Sequence, residues 1–149
     1  MPSNAVTTSA TASKAFSRGG TNRVSIYKDR ILDPASPINR QHVDKLADLF
    51  YDPFEQLLRQ ALLAWRLALD DDLFDDWLHL HVIPAANREL IDHVTAPNLA
   101  GASMPEAFAS TLKHPNTYRH VTPTRLLSQL SAAAGPTGWR AWLAGRYAT

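Results

Sequence analysis

No cysteine occurs in the 149 residues, so disulfides, thiolate zinc sites, iron–sulfur clusters and cysteine nucleophiles are excluded together. Neither sign of charge is in excess. Fifteen basic and 14 acidic side chains leave a formal +1, too little to draw the whole chain to nucleic acid or lipid. Any affinity for DNA has to come from a local patch. Long apolar runs are missing as well: "MPSNAVTTSATASKAFSRGG" has no continuous apolar core of the signal-peptide kind, and no segment approaches the roughly 20 apolar residues of a membrane span. The expectation is a cytoplasmic protein with no membrane partner. Within residues 1–22 Phe16 is the only aromatic side chain, and so little burial does not offset the entropy of ordering. Residues 1–22 therefore read as a disordered lead. The remainder, residues 23–149, is expected to form a single domain, the chain being 45% hydrophobic.

What is present is mostly helical. "RVSIYKDRILDPASPI" alternates loosely and breaks at Asp33-Pro34 and Ser36-Pro37, where proline disfavours helix at the residue before it; it reads as an extended connector. "INRQHVDKLADLF" carries Val43, Leu46, Ala47, Leu49 and Phe50 at helical spacing over a short length. The clearest element is "YDPFEQLLRQALLAWRLALDDD", with Asp52 as cap, Pro53 at the first helical position and Glu55 completing a capping-box pattern. Phe54, Leu57, Leu58, Ala61, Leu62, Trp65 and Leu69 form its stripe, and Leu63 and Leu67 widen it, so that the C-terminal half is expected to be covered on most sides. The acids Asp70, Asp71 and Asp72 oppose the helix dipole and end it.

"WLHLHVIP" is short, apolar and closed by Pro84, which suits a strand. Helices follow in "AANRELIDHV", with Leu90, Ile91 and Val94 inward, and in "SMPEAFASTLK", with Ser103 and Glu106 as a capping box. "NTYRHVT" reads as a second strand. "TPTRLLSQLSAAAG" has Thr122 as cap, Pro123 first and Gly135 as stop, and the tail "PTGWRAWLAGRYAT" suits a last amphipathic turn or two bearing Trp139, Trp142 and Leu143. About five helices against two strands is an α/β pattern, helix-rich, with an incomplete small sheet, since two strands do not make an independent one.

The two histidines of "WLHLHVIP" invite a chemical reading. The stretch resembles the His-x-His-x-His pattern of histidine-triad nucleotide hydrolases, but Trp77 stands where the first histidine belongs. The preceding "LDDDLFDD" puts five acids where such an enzyme needs a phosphate loop. On a strand, Trp77, His79, His81 and Ile83 share one face and Leu78, Leu80 and Val82 the other. Paired imidazoles suit a metal, yet zinc sites take at least three protein ligands in most enzymes, so Asp75, Asp76 or His93 would have to be recruited. The plainer expectation is that both rings pack under a helix with their nitrogens satisfied by backbone or neighbouring acids.

From Tyr27 to about residue 130 the ordered motifs "YKDRILDPASPI", "LADLFYDPFEQLLRQALLAWRLA", "LHLHVIPAANREL", "VTAPNL" and "FASTLKHPNTYRHVTPTRLL" resemble the C-terminal part of a bacterial PD-(D/E)XK restriction-endonuclease-like family. That resemblance implies a helix-rich remnant of a restriction-endonuclease-like fold, DNA as a partner, and Mg²⁺ in an intact member, held by an Asp and a Glu-x-Lys on adjacent strands. It also implies an auxiliary catalytic role for Gln56 and Arg59, which lie three apart on one helix face. Without the resemblance they read as a solvated face with a Glu55–Arg59 pair. No Glu-x-Lys occurs in the chain and no acid precedes Asp29, so this chain alone is expected to bind no cofactor and to cut nothing. The leading expectation is a truncated or degenerate nuclease-like protein. The alternative is a non-catalytic interaction module whose partner covers the incomplete sheet, and a histidine-triad-like phosphohydrolase built on His79 and His81 comes third.

Overall fold

The helix that opens the structure occupies the stretch read from sequence as a connector. The computed structural model describes residues 18–70 and 74–132; residues 1–17 of the expected lead, Gly135, and the tail with Trp139, Trp142 and Leu143 lie outside them. Arg18–Leu32 form α1. Loose alternation misleads here because Ile26, in phase with Val24 on a strand, points to solvent, whereas Val24, Tyr27 and Ile31 recur at steps of three and four and face the core. Ile31 is fully buried, and the Tyr27 ring meets Phe50 at 6.1 Å. The helix stops at Asp33-Pro34 in a turn, where Asp33 accepts the amides of Ala35 through Oδ1 (2.8 Å) and of Ser36 through its carbonyl (2.9 Å).

Helical spacing in "INRQHVDKLADLF" resolves into two 3₁₀ turns, Arg40–His42 and Leu46–Phe50, because each run is too short to sustain an α-helix. The second turn fixes Leu49 and Phe50 in the core, with α1 and the next helix packed on it. That helix, α2, spans Phe54–Asp70. The amides of Gln56 and Leu57 donate to the Pro53 carbonyl at 3.1 and 3.2 Å, so the helix begins within a residue of Pro53. Phe54, Leu57, Leu58, Ala61, Leu62 and Trp65 are buried. Leu63, Leu67 and Leu69 are half exposed or more, which overturns the expectation of an enclosed C-terminal half. The 46–50 turn and the first strand pack on α2, and these three leucines lie off its buried face.

The strands are β1, His79–Val82, and β2, Tyr118–Val121. They pair in parallel with His79 opposite Tyr118 and Val82 opposite Val121. Between them run α3 (Arg88–Asp92) and α4 (Met104–Ser110); α5 (Pro123–Ala132) follows β2. The architecture is mixed α/β, rich in helix, with one two-stranded sheet among the described residues. Such a pair persists because α2 packs on β1 and α4 on β2.

Caps fall where the residue types demand. Asn87 Oδ1 accepts the Leu90 amide (3.4 Å) and Thr122 Oγ1 that of Arg125 (3.3 Å). Ser103 accepts the Glu106 amide while Glu106 Oε2 accepts that of Ala102 (3.1 Å), a capping box displaced by one residue. Leu90, Ile91 and Val94 pack inward as expected. Gly101 lies against α4 so closely that a Cβ would sit 2.5 Å from the Ala107 nitrogen. The strand-like Ile38–Leu112 bridge, with bonds from Asn39 N to Thr111 O and Lys113 N to Pro37 O, ties the turn after α1 to the end of α4.

Candidate functional site

Two places gather chemically capable side chains: the inner face of the sheet and a cleft between α1 and α2. On the sheet, His79 and His81 point inward as strand alternation requires, and β2 adds Tyr118 and His120 to the same face. His79 stands edge-on to Phe108 of α4 and to Tyr118, at 5.9 and 5.3 Å. His81 Nδ1 and the Tyr118 hydroxyl share a 2.8 Å hydrogen bond. His79 Nδ1 and His120 Nε2 are buried with no partner among the described residues, so the expectation that backbone or acids satisfy the His79 and His81 rings is not met at His79 Nδ1, and His81 takes a tyrosine hydroxyl instead. Asp75, Asp76 and His93, the further ligands a metal site would have needed, are all exposed.

Burial pushes the His79 pKa below its usual value; burial first, and then the neighbouring His79 and His120, push His81 down to about 4. Burial raises Tyr118 well above the ordinary tyrosine range. His79, His81 and Tyr118 are thus uncharged at neutral pH. Among the described residues no group of three or more His, Asp or Glu side chains is placed to hold a metal ion, and these donors do not fit a divalent-metal centre.

The cleft has a volume of about 860 Å³. From α1 it is lined by Arg23, Tyr27 and Arg30, one face at steps of four and three; from α2 come Gln56, Arg59, Gln60, Leu63 and Arg66. Asp52 and Glu55 also line it. Glu55 does not pair with Arg59. Its buried carboxylate accepts from Arg23 Nη1 at 3.0 and 2.8 Å, a pair that ties α1 to α2. Arg30 donates to its own helix, at the Ile26 carbonyl (3.4 Å). Gln56, Arg59 and Gln60 are exposed, and Arg59 has no partner among the described residues. The two residues singled out from sequence therefore sit together and open to the cleft. The sequence alone does not single out Arg23, Tyr27, Arg30 or Arg66; the first three share a face only once α1 is a helix packed on the 46–50 turn.

Gln56 and Arg59 thus share an open helix face, with three more arginines lining the same cleft. The family described as restriction endonuclease associating with ARP (REase-ARP) matches residues 7–148. This chain belongs to that family. No curated protein and no solved structure matches it. Membership covers the cleft, the sheet and all five described α-helices alike. No described helix is long and apolar enough to cross a membrane.

Proposed function

We propose that this chain is a degenerate, cytoplasmic relative of the PD-(D/E)XK nucleases, corresponding to the C-terminal, supporting part of such an enzyme, which contacts DNA without cutting it unaided. The observation that carries this reading is the cleft, where Gln56 and Arg59 stand free beside Arg23, Arg30 and Arg66. Guanidinium and amide groups on one helix face suit phosphate oxygens, which fix a protein on nucleic acid by charge and hydrogen bonding. The chemistry of cleavage needs a cation held by carboxylates. The chain has no Glu-x-Lys, and Asp52 and Glu55 are the two acids that line the cleft, so the Mg²⁺ of an intact enzyme has no carboxylate set to hold it here. Incubation of plasmid DNA with the chain and Mg²⁺ or Mn²⁺ is expected to leave the DNA intact. Metal-dependent cleavage abolished by Gln56→Ala would overturn the reading.

A second reading, a module that works bound to another protein, is favoured by a separate observation. Leu78, Leu80 and Val82, the outward face of β1, are 39 to 53% exposed, and Phe74 stands exposed just before them; apolar surface in one place marks a contact for another chain. The family's description names association with ARP, and we infer that ARP, or a strand of it, covers this face. Co-expression with ARP should then yield a complex that Leu80→Lys breaks; a complex indifferent to Leu80→Lys would place the contact elsewhere. Hydrolysis of a nucleoside phosphoramidate, lost in His79→Ala, would instead revive the histidine-triad reading. None is expected, because His79 is buried against Phe108 and Tyr118.

A further inference from the structure

We propose that the cleft between α1 and α2 receives one strand of nucleic acid, held by Arg30 and Arg59, and rejects the duplex. The inference rests on the reading that this cleft contacts nucleic acid, and narrows what enters it.

Charge gives the class of ligand. Four guanidinium groups and two carboxylates line the cleft, a local excess of cations in a chain whose whole formal charge is +1. Arg23 is engaged by Glu55. Arg59 is unengaged among the described residues, and Arg30 spends a single long bond on its own helix, so both can turn to an anion. In each helix a separation of seven residues, Arg23 to Arg30 and Arg59 to Arg66, covers about 10 Å at 1.5 Å per residue. Both arginines of each pair line the cleft.

Size and lining decide between strand and duplex. The volume, about 860 Å³, is within the range of a pocket for a small ligand, and a double helix, whose major groove by itself is about 12 Å wide, exceeds what such a pocket takes. It could only lie across the rim, where its bases would not reach the lining. The lining includes groups that phosphate would not use, the Tyr27 ring, steadied against Phe50, and the exposed Leu63, and the amides of Gln56 and Gln60 can serve a base edge as well as a phosphate. Unpaired bases offer flat faces for an aromatic ring and free edges for amides, while a duplex hides the first and turns the second into its grooves.

The test uses the full chain and a fluorescein-labelled DNA strand of roughly a dozen nucleotides, within the usual span of single-strand modules. The same strand annealed to its complement is the second probe, and AMP is the competitor. Fluorescence anisotropy at two salt concentrations should show the single strand bound at least tenfold more tightly than the duplex. Arg59→Ala and Arg30→Ala should each weaken it fivefold or more and lower the salt slope by about 0.7. Tyr27→Ala should weaken it about fivefold or more, with Tyr27→Phe retaining binding. Lys28→Ala, on the same helix but away from the cleft, should leave binding unchanged, and circular dichroism establishes that each variant is folded. A duplex bound as tightly as the strand, with Arg59 still required, overturns the proposal and leaves the wider reading standing. Binding of neither probe, or binding indifferent to Arg59, overturns both. Full displacement by AMP at matched phosphate concentration also sinks the proposal, by making the cleft a nucleotide pocket.

Discussion

Arg23 and Glu55 are 32 positions apart and meet in a bidentate pair whose two halves live in different solvents: the Glu55 side chain is 8% exposed, the Arg23 side chain 43%. Removing the cation strands a buried carboxylate, whereas the cation left alone can turn to water. Arg23→Ala should therefore cost about 1–2 kcal/mol, lower than for a fully enclosed pair because water reaches the arginine. Glu55→Gln should cost less. Urea titrations followed by circular dichroism will rank them, and equal losses would refute the asymmetry. Gly101 poses a different constraint at the same scale. Its missing side chain lets the chain pass against Ala107 of α4, where a Cβ would lie 2.5 to 2.9 Å from backbone and side-chain atoms. Gly101→Ala is expected to destabilise by about 1–3 kcal/mol through overpacking, with a lower urea midpoint and unchanged slope.

Among the elements, the sheet's inner face shows how pH enters the fold. His79 and His81 are held neutral by burial, their folded pKa values lowered from 6.5. A depressed imidazole pKa means that the unfolded chain takes up protons that the folded chain refuses. Stability from these groups is full above about pH 6.5 and declines as pH falls toward about 4, where His81 finally protonates in the folded state. His81→Leu should flatten that decline in urea midpoints between pH 6.5 and 4. It should also lower the plateau near neutrality, since the buried Tyr118 hydroxyl loses its partner. A slope identical to the parent's would show that acid sensitivity lies with other groups. Element boundaries were legible where local chemistry sets them: Ser103 and Thr122 cap the helices whose periodicity announces them, and Asn87 caps a third whose start the sequence leaves unnamed. α1 was illegible for a tertiary reason. Val24, Tyr27 and Ile31 form its stripe only because Phe50 and the 46–50 turn supply something to pack against, and the β-branched and aromatic types in "RVSIY" favour a strand when that context is unknown.

For the whole molecule, the core is one contiguous cluster running from Ile31 through Phe54 and Trp65 to Phe108 and Tyr118. Phe54, fully buried at the start of α2, belongs to its middle. Phe54→Ala should remove about 3–5 kcal/mol, enough to unfold a domain of ordinary stability at moderate urea, as a thermal melt will show. How far the candidate site could be read follows the same line. Gln56 and Arg59 were visible as neighbours because one helix fixes their spacing. Arg23 and Arg30 join them from a second helix, and no local pattern states that α1 and α2 border one cleft. The inner-face position of His79 and His81 followed from strand alternation. Their company of Tyr118 and His120 depended on a parallel pairing 39 residues away in sequence, which loop chemistry does not encode.

The outward side of β1 has one more consequence, for anyone handling the protein in concentrated solution. Among the described residues β1 is paired on one side only, and its four residues, with leucine and valine turned to water, form a template that like molecules can extend. Light scattering should climb with concentration and with added sulfate, which strengthens apolar contact, and a lysine in place of Leu80 should hold the solution clear.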